Sequence, residues 1–250
     1  MRLAVMQPYF FPYLPYWQLM NAVDKYIVYD DVNFINRGWI NRNRILINGK
    51  PTFFNLPVSG ASQNKLISEV SCNLNTVNRR KMLTALELAY KKAPQFNEVM
   101  PLLEKIISYE SEKIVPFLLN SFLLLKDYLG IDTEIILSST IPKDNSLKGQ
   151  DKLLAICKYF GAQEYCNAIG GVDIYSAEEF KAHGITLKFL KSNPVAYKQF
   201  KNEFQPDLSI IDVLMFNPKE KVTEMLKAFV LCQKAYNDAN LTGGGRQNAD

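Results

Sequence analysis

Histidine is almost missing from this sequence: His183 is the only one in 250 residues. A multi-histidine metal site is therefore excluded, and imidazole acid–base chemistry would have to run through that one residue. None of the four cysteines, Cys72, Cys157, Cys166 and Cys232, stands in CxxC spacing. That removes zinc ribbons and thioredoxin-type redox chemistry. No apolar run reaches the ~18 residues of a membrane span. The opening stretch MRLAVMQPYFFPYLPYW has no long apolar segment after its single Arg, so no secretory signal is read there. The expectation is a reduced, cytoplasmic protein with no membrane span. Charge of one sign is scarce as well: 29 Lys and Arg against 25 Asp and Glu leave +4, too little to argue for nucleic acid. Gly and Pro, 12 each, are too few for a collagen-like or low-complexity chain.

What is present is enough apolar sequence, 48%, to build a core. The length fits one large domain or a core domain with an insertion. Leu3 to Met6 reads as a strand, Gln7 to Pro15 as a loop, Tyr16 to Val23 as a helix and Lys25 to Tyr29 as a second strand, which together make a βαβ unit. Asn48-Gly49 marks a two-residue hairpin turn. Residues 73–130 read as three helices, the first capped by Asn75 or Thr76 and the last closed by Gly130. The α/β pattern then returns, with strands at Thr133–Ser138, Glu164–Ala168 and Ile185–Leu190 and a helix over Gln150–Phe160. Ser176-x-x-Glu179 is a capping box for a further short helix. Asn217-Pro218 predicts a last helix, with Asn as N-cap and Pro in the first turn.

The fold class expected is α/β, a mostly parallel sheet with flanking helices, plus an α-helical insertion. Residues 1–72 and 131–217 are assigned to the core, 73–130 to the insertion, 218–235 to a C-terminal helix and 236–250 to a mobile tail. Ligands of such sheets sit beyond the carboxyl ends of the strands. That rule gathers the QPYFFP loop, Asp30-Asp31, the loop after Ser139 and Gly170-Gly171 around one prospective site.

Five stretches carry chemistry. In Gln7-Pro8-Tyr9-Phe10-Phe11-Pro12-Tyr13, the aromatics, Phe11 and Tyr13 among them, are suited to stack a base or sugar, or else to plug the core. Asp30 and Asp31 are the candidate catalytic carboxylates. Neighbours on a strand point to opposite faces, so one of them at most is a general base. Residues 36–50 hold Arg37, Arg42, Arg44 and Lys50 with no acid. Arg37 and Arg42, with Asn41 and Asn43 beside them, suit a diphosphate. Ser139 and the lysines of the following loop suit a phosphate without forming a Walker A motif. Gly170 and Gly171 let backbone approach a ligand closely. His183 is read as a helix C-terminal residue, and Cys157 and Cys166 as buried structural thiols.

Taken together, MQPYFFPYLPYWQL, DKYIVYDDVNFINRGWINRNRI, the run from SST to GAQEYCNAIGG, GITLKF and LSIIDVLMFN resemble the WbqC-like protein family. Pro15 stands where the resemblance leads one to expect Gly, which stiffens that loop. The resemblance implies a role in surface-polysaccharide (O-antigen) biosynthesis, with transfer of an aminoacyl group, specifically glycine, to the amine of a nucleotide-linked amino sugar. It puts substrate binding on Gln7, Tyr13, Tyr16, Arg37, Asn41, Arg42, Asn43, Asn167, Gly170, Gly171, Asp212 and Asn217, and function on Asp30 and Asp31. Asp212, in the apolar run SIIDVLMF, needs a partner if buried; a basic-loop arginine is expected. A weaker analogy to adenylyl-transferring nucleotidyltransferases lacks their HxGH histidines, since Tyr13-Leu14-Pro15-Tyr16 stands there.

The leading reading is an acyl or aminoacyl transferase acting on a nucleotide-sugar or other phosphorylated small molecule. Its donor, an aminoacyl-tRNA, a carrier thioester or an acyl phosphate, stays open. So does a role for Mg²⁺, and no cofactor motif is present. Nucleic acid is not expected except as an aminoacyl-tRNA donor. The alternatives are an ATP-dependent nucleotidyltransferase-like enzyme and a non-enzymatic module of a polysaccharide assembly complex.

Overall fold

The computed structural model describes residues 1–201 and 203–233. Its strands are β1 (Arg2–Met6), β2 (Lys25–Val28), β3 (Arg42–Ile47), β4 (Lys50–Asn55), β5 (Val58–Ser59), β6 (Ser71–Cys72), β7 (Glu134–Leu137), β8 (Glu164–Ala168), β9 (Thr186–Ser192) and β10 (Phe229–Cys232). Its helices are α1 (Leu14–Asn21), α2 (Thr76–Tyr90), α3 (Phe96–Ile107), α4 (Ile114–Leu129), α5 (Gly149–Phe160), α6 (Ala177–Ala182), α7 (Ile210–Phe216) and α8 (Lys219–Met225).

Six strands form the main sheet in the order β10-β9-β8-β1-β2-β7. Five are parallel, and β10 runs antiparallel against β9. This is the α/β fold expected, a mostly parallel sheet with flanking helices. Alternation along β1 explains the layers. Ala4 faces one core with α1 to α4, α7 and α8, while Leu3 and Val5 face a second core with α5 and α6. A parallel sheet covered on both faces needs apolar residues at both phases of the strand, and β1 supplies them. The three helices of residues 76–129 belong to the first core, so they cover the sheet rather than stand apart from it.

Local signals read as expected in several places. Asn48 and Gly49 both adopt positive φ, 51° and 74°, as the two-residue β3–β4 turn requires. The Asn75 side chain accepts from the Asn78 N–H, and the Ser176 hydroxyl accepts from Glu179 N–H. His183 closes α6, and Cys157 and Cys166 are buried and unpaired.

Two readings are corrected. Pro15 lies in the first turn of α1, with Tyr13 as N-cap. Its fixed φ and missing N–H suit that position, so it starts the helix and does not stiffen the loop. The predicted helix over 218–235 stops at Met225, and residues 229–232 form β10. The FVLC run finds the open edge of β9, and sheet pairing there outweighs its local helical pattern. The N-cap of α8 is Pro218, whereas Asn217 closes α7. The segment 236–250 lies outside the described residues. Among those described, no helix is long and apolar enough to cross a membrane.

Candidate functional site

The sheet order sets the place. Progression outward from β1 goes through β2 and β7 on one side and through β8 and β9 on the other. The strand order therefore switches between β1 and β8, and the crevice of such a sheet opens beyond the carboxyl ends of those two strands. The loops that follow β1, β2, β7, β8 and β9 all leave from that edge.

The loop after β1 is a clamped element. Phe10 and Phe11 are 0% exposed, so Phe11 is a core residue and not the ligand-stacking ring expected from the sequence. Phe11 holds φ at 44°, a left-handed conformation unusual for a bulky residue. Its carbonyl is gripped by the Asn43 side-chain amide and by the Ser209 hydroxyl at 2.9 Å. Asn43 also donates to the Phe10 carbonyl at 3.2 Å, and Trp17 donates to the Pro12 carbonyl at 3.1 Å. Tyr16 is buried and donates its hydroxyl to the Gln7 carbonyl at 2.9 Å. Asn43 and Tyr16 thus shape the loop from behind. Gln7, Tyr9 and Tyr13 remain half-buried, and the Gln7 amide makes no hydrogen bond with the described residues. Burial raises the Tyr13 phenol above its ordinary pKa, so it is a neutral donor.

The basic stretch folds over this loop. The Phe10 N–H donates to the Trp39 carbonyl at 3.1 Å, and the Tyr9 and Trp39 rings lie 5.8 Å apart. The Arg42 and Arg44 guanidiniums sit over the Trp39 ring, at 5.7 and 5.8 Å from its centroid, within cation–π range. Arg42 also donates to the carbonyls of Gly38 and Arg37. Arg37 is exposed, and its guanidinium makes no hydrogen bond or ion pair with the described residues. Asn41 is tied to Leu56 through its backbone carbonyl and its side chain.

The two adjacent carboxylates part company. Asp30 is 1% exposed. Its Oδ1 accepts from the Ser139 N–H at 2.9 Å and its Oδ2 from the Ser139 hydroxyl at 2.6 Å, which ties the end of β2 to the end of β7. Asp31 meets two ammonium groups: its Oδ2 lies 2.8 Å from Lys143 Nζ and 3.1 Å from Lys152 Nζ. Those side chains are 1% and 6% exposed, and that of Asp31 is 10% exposed. Burial alone would raise the Asp31 carboxyl, but the lysines and Ser138 outweigh it and hold it below the usual range. Both carboxylates are occupied by the protein's own donors. With Asp30 beside them, the two lysines are matched by two carboxylates at this edge of the sheet.

Near the end of β8, Asn167 is buried. Its Oδ1 accepts from Ala168 N–H at 2.7 Å, and its amide donates to the Tyr165 hydroxyl at 3.3 Å. A Cβ on Gly171 would lie 3.4 Å from the Asn167 amide and from the Tyr175 ring, an ordinary van der Waals contact. Gly170 faces open space.

Asp212 is 0% exposed, and no arginine reaches it, contrary to the expectation from the basic loop. It accepts from the hydroxyls of Tyr90 at 2.9 Å and Tyr197 at 2.7 Å and from the Gln199 amide at 2.6 Å. Burial without a cation raises its carboxyl above the usual range. Asn217 is also buried, its amide donating to the Val213 carbonyl at 2.8 Å. Asp212 is a buried acceptor within the packing, and Asn217 caps the end of α7.

A sequence model of the WbqC-like protein family matches residues 7–224. The chain belongs to this family. An uncharacterized protein of Mycobacterium tuberculosis strain H37Rv, Rv1507c, is 27% identical over 230 residues, covering 90% of this chain and 97% of its own length. No solved structure matches.

In this WbqC-like protein the carboxyl edge of the sheet and its loops lie within the matched span. Lys152 was not legible as part of it, because its partner Asp31 is 121 residues away in sequence. The lysines after Ser139 carry a weak signal, a basic loop ahead of a helix, and Lys143 is one of them. Among the described residues, no group of three or more His, Cys, Asp or Glu side chains is placed to hold a metal ion.

Proposed function

We propose that this chain binds a nucleotide-linked amino sugar in the crevice beyond β1, β2, β7 and β8. There it transfers an acyl group to the sugar amine, in the form the family resemblance suggests an aminoacyl group such as glycine. The observation that carries the binding half is the Tyr9–Trp39 face with Arg42 and Arg44 over the same indole. A flat aromatic surface suits a base or sugar ring, and guanidiniums beside it suit a diphosphate. The free Arg37 guanidinium supports the same sign of ligand.

In the transfer, the amine nitrogen attacks the acyl carbonyl carbon. The C–N bond forms, the bond to the donor's leaving group breaks, and the amine proton passes to the departing group. Direct attack suits this site, because burial pushes the Cys157 and Cys166 thiols up to about 12 and about 11, which removes them as nucleophiles. Asp30 and Asp31 position the ends of β2 and β7 in this reading. The reaction belongs to surface-polysaccharide assembly on the cytoplasmic side, with an aminoacyl-tRNA, a carrier thioester or an acyl phosphate as donor.

A thermal-shift panel of UDP, dTDP, GDP and CDP, their amino-sugar conjugates and ATP, each with and without Mg²⁺, tests the reading. Ligand at about 100 times its Kd adds ~2.7 kcal/mol, a rise of roughly 5–10 °C for a chain of this size. A shift with one amino-sugar conjugate that is lost in Arg37→Ala is the expected result, with amide formation then followed by mass spectrometry. A shift with ATP–Mg²⁺ alone replaces the proposal with a nucleotidyltransferase-like enzyme. No shift with any ligand replaces it with a binding module of an assembly complex.

A further inference from the structure

A second feature opens at the same edge of the sheet, beyond the end of β9. Residues of Ser192–Tyr197 and Phe204–Leu208, with the start of α1, line an open cavity of about 260 Å³. That is smaller than the ~300–1,000 Å³ of pockets for drug-sized ligands, so it suits a single sugar ring or one short aminoacyl group and not a whole nucleotide. Its walls include the rings of Tyr13, Tyr197 and Phe204, the last two packed edge to face at 5.0 Å. The Tyr197 hydroxyl is already given to Asp212, which leaves the ring as the surface it offers.

The charge lining this cavity is of one sign. Asp207 is the only lining residue with a charged side chain, and among the described residues no ammonium or guanidinium pairs with its carboxylate. Arg44 comes to Asp207 but donates to its backbone carbonyl, at 3.3 Å. The Asp207 carboxylate is close enough to Tyr13 to help raise its phenol. Asn193, also on the wall, has a side-chain amide with no partner among the described residues. A carboxylate beside aromatic faces attracts a cation and repels a phosphate or carboxylate. A free amide next to them adds a donor and an acceptor for a polar body.

We propose that this cavity is the subsite for a primary ammonium group on a small polar molecule, with Asp207 as counter-ion and Tyr13 and Tyr197 as aromatic walls. The occupant is an amino sugar or an aminoacyl group whose own carboxylate is masked. This inference rests on the reading of this edge of the sheet as the substrate crevice, and it places the amine end of the substrate at Asp207, next to the guanidinium surface around Trp39, since Arg44 of that surface donates to the Asp207 carbonyl.

Saturation-transfer NMR on the full chain, with D-glucosamine, N-acetyl-D-glucosamine, D-glucose and glycinamide as probes, tests it. The expected result is that D-glucosamine or glycinamide binds at least tenfold more tightly than D-glucose and N-acetyl-D-glucosamine. The stronger of the two amines identifies the source. Asp207→Asn abolishes the preference. This variant keeps a residue that tolerates the positive φ of 55° found there, so it folds. Tyr13→Leu weakens both amines. Equal binding of all four probes, no binding of any, or a preference that survives Asp207→Asn overturns the inference. The nucleotide panel on the same variant separates the two proposals. Failure of the amine preference with nucleotide shifts intact removes the subsite alone, and loss of nucleotide shifts with the preference intact removes the phosphate reading alone.

Discussion

Ser139 holds both oxygens of the Asp30 carboxylate, its N–H on Oδ1 at 2.9 Å and its hydroxyl on Oδ2 at 2.6 Å. This pair joins the carboxyl ends of the neighbouring strands β2 and β7, where the crevice needs a fixed rim. Hydrogen bonds to a charged group contribute about 1.5–3 kcal/mol each. Asp30→Ala is therefore expected to cost about 2–4 kcal/mol in urea unfolding, and Asp30→Asn, which keeps one acceptor, roughly half that. An unchanged urea midpoint would show that the pair is not stabilising.

Asp31 and Asp212 are expected to impose opposite pH dependences. Asp31 has a native pKa held below its unfolded value. Its contribution is full above the ordinary carboxylate range and is lost as pH falls through the native pKa. Asp212 has a native pKa raised above its unfolded value. Its contribution is full below the unfolded pKa and is lost as pH rises through the native one. Asp212→Asn should remove the second slope and leave the first, at a cost of about 1 kcal/mol for the imperfectly matched donors. Urea midpoints measured from pH 3 to pH 8, an interval of about five units around the carboxylate range, check both signs.

Removing the Asp31 carboxylate leaves two buried ammoniums without their ion-pair partner. Breaking a buried pair this way costs about 3–5 kcal/mol. Asp31→Ala should fall in that range, and Asp31→Asn with Lys143→Met should recover part of the loss. Equal stability of the single and double variants would mean that solvent reaches the lysines.

Asn43 grips the loop after β1 by two backbone carbonyls. Asn43→Ala is expected to lower stability by about 2 kcal/mol, a drop of roughly 4–8 °C. It should also weaken ligand binding, since the Tyr9–Trp39 face rests on that loop. Tm and the nucleotide panel, measured on the same sample, read both effects.

The two tryptophans differ in environment: Trp17 is 0% exposed and Trp39 is 41% exposed. A nucleotide-sugar stacked at the Tyr9–Trp39 face should change the fluorescence of Trp39 and not of Trp17. Trp39→Phe should abolish the change and weaken affinity about tenfold, with Tm nearly unchanged. A signal that persists in Trp39→Phe places the ligand elsewhere.

Much of the architecture was legible because its causes are local. The Asn48-Gly49 turn, the Asn75 and Ser176 caps and the Gly130 and Gly161 helix ends each depend on residues within a few positions. The rule that ligands sit beyond strand ends brought the QPYFFP loop, Asp30-Asp31, Ser139 and Gly170-Gly171 to one edge before any contact was known. What a side chain does at that edge was less legible. Phe10 and Phe11 look in sequence like Tyr9 and Tyr13, yet the first two fill the core and the others stay half-buried. The difference is the left-handed turn at Phe11, held by Asn43 and Ser209 from elsewhere in the chain.

The amino-acid sequence alone thus determined the alternation of strands and helices, the turns and caps, and the exclusion of histidine-rich metal and CxxC chemistry. Hydrophobic period and backbone preference act over a few residues and can be read there. Only the tertiary structure decided which donors satisfy each buried carboxylate. Asp212 must find partners once it leaves water, but Tyr90, 122 residues away, meets it because α2 and α7 both pack on β3. Lys152 likewise reaches Asp31 because α5 covers the sheet beside β2. Burial sets the need for a partner locally, and chain topology chooses the partner at long range.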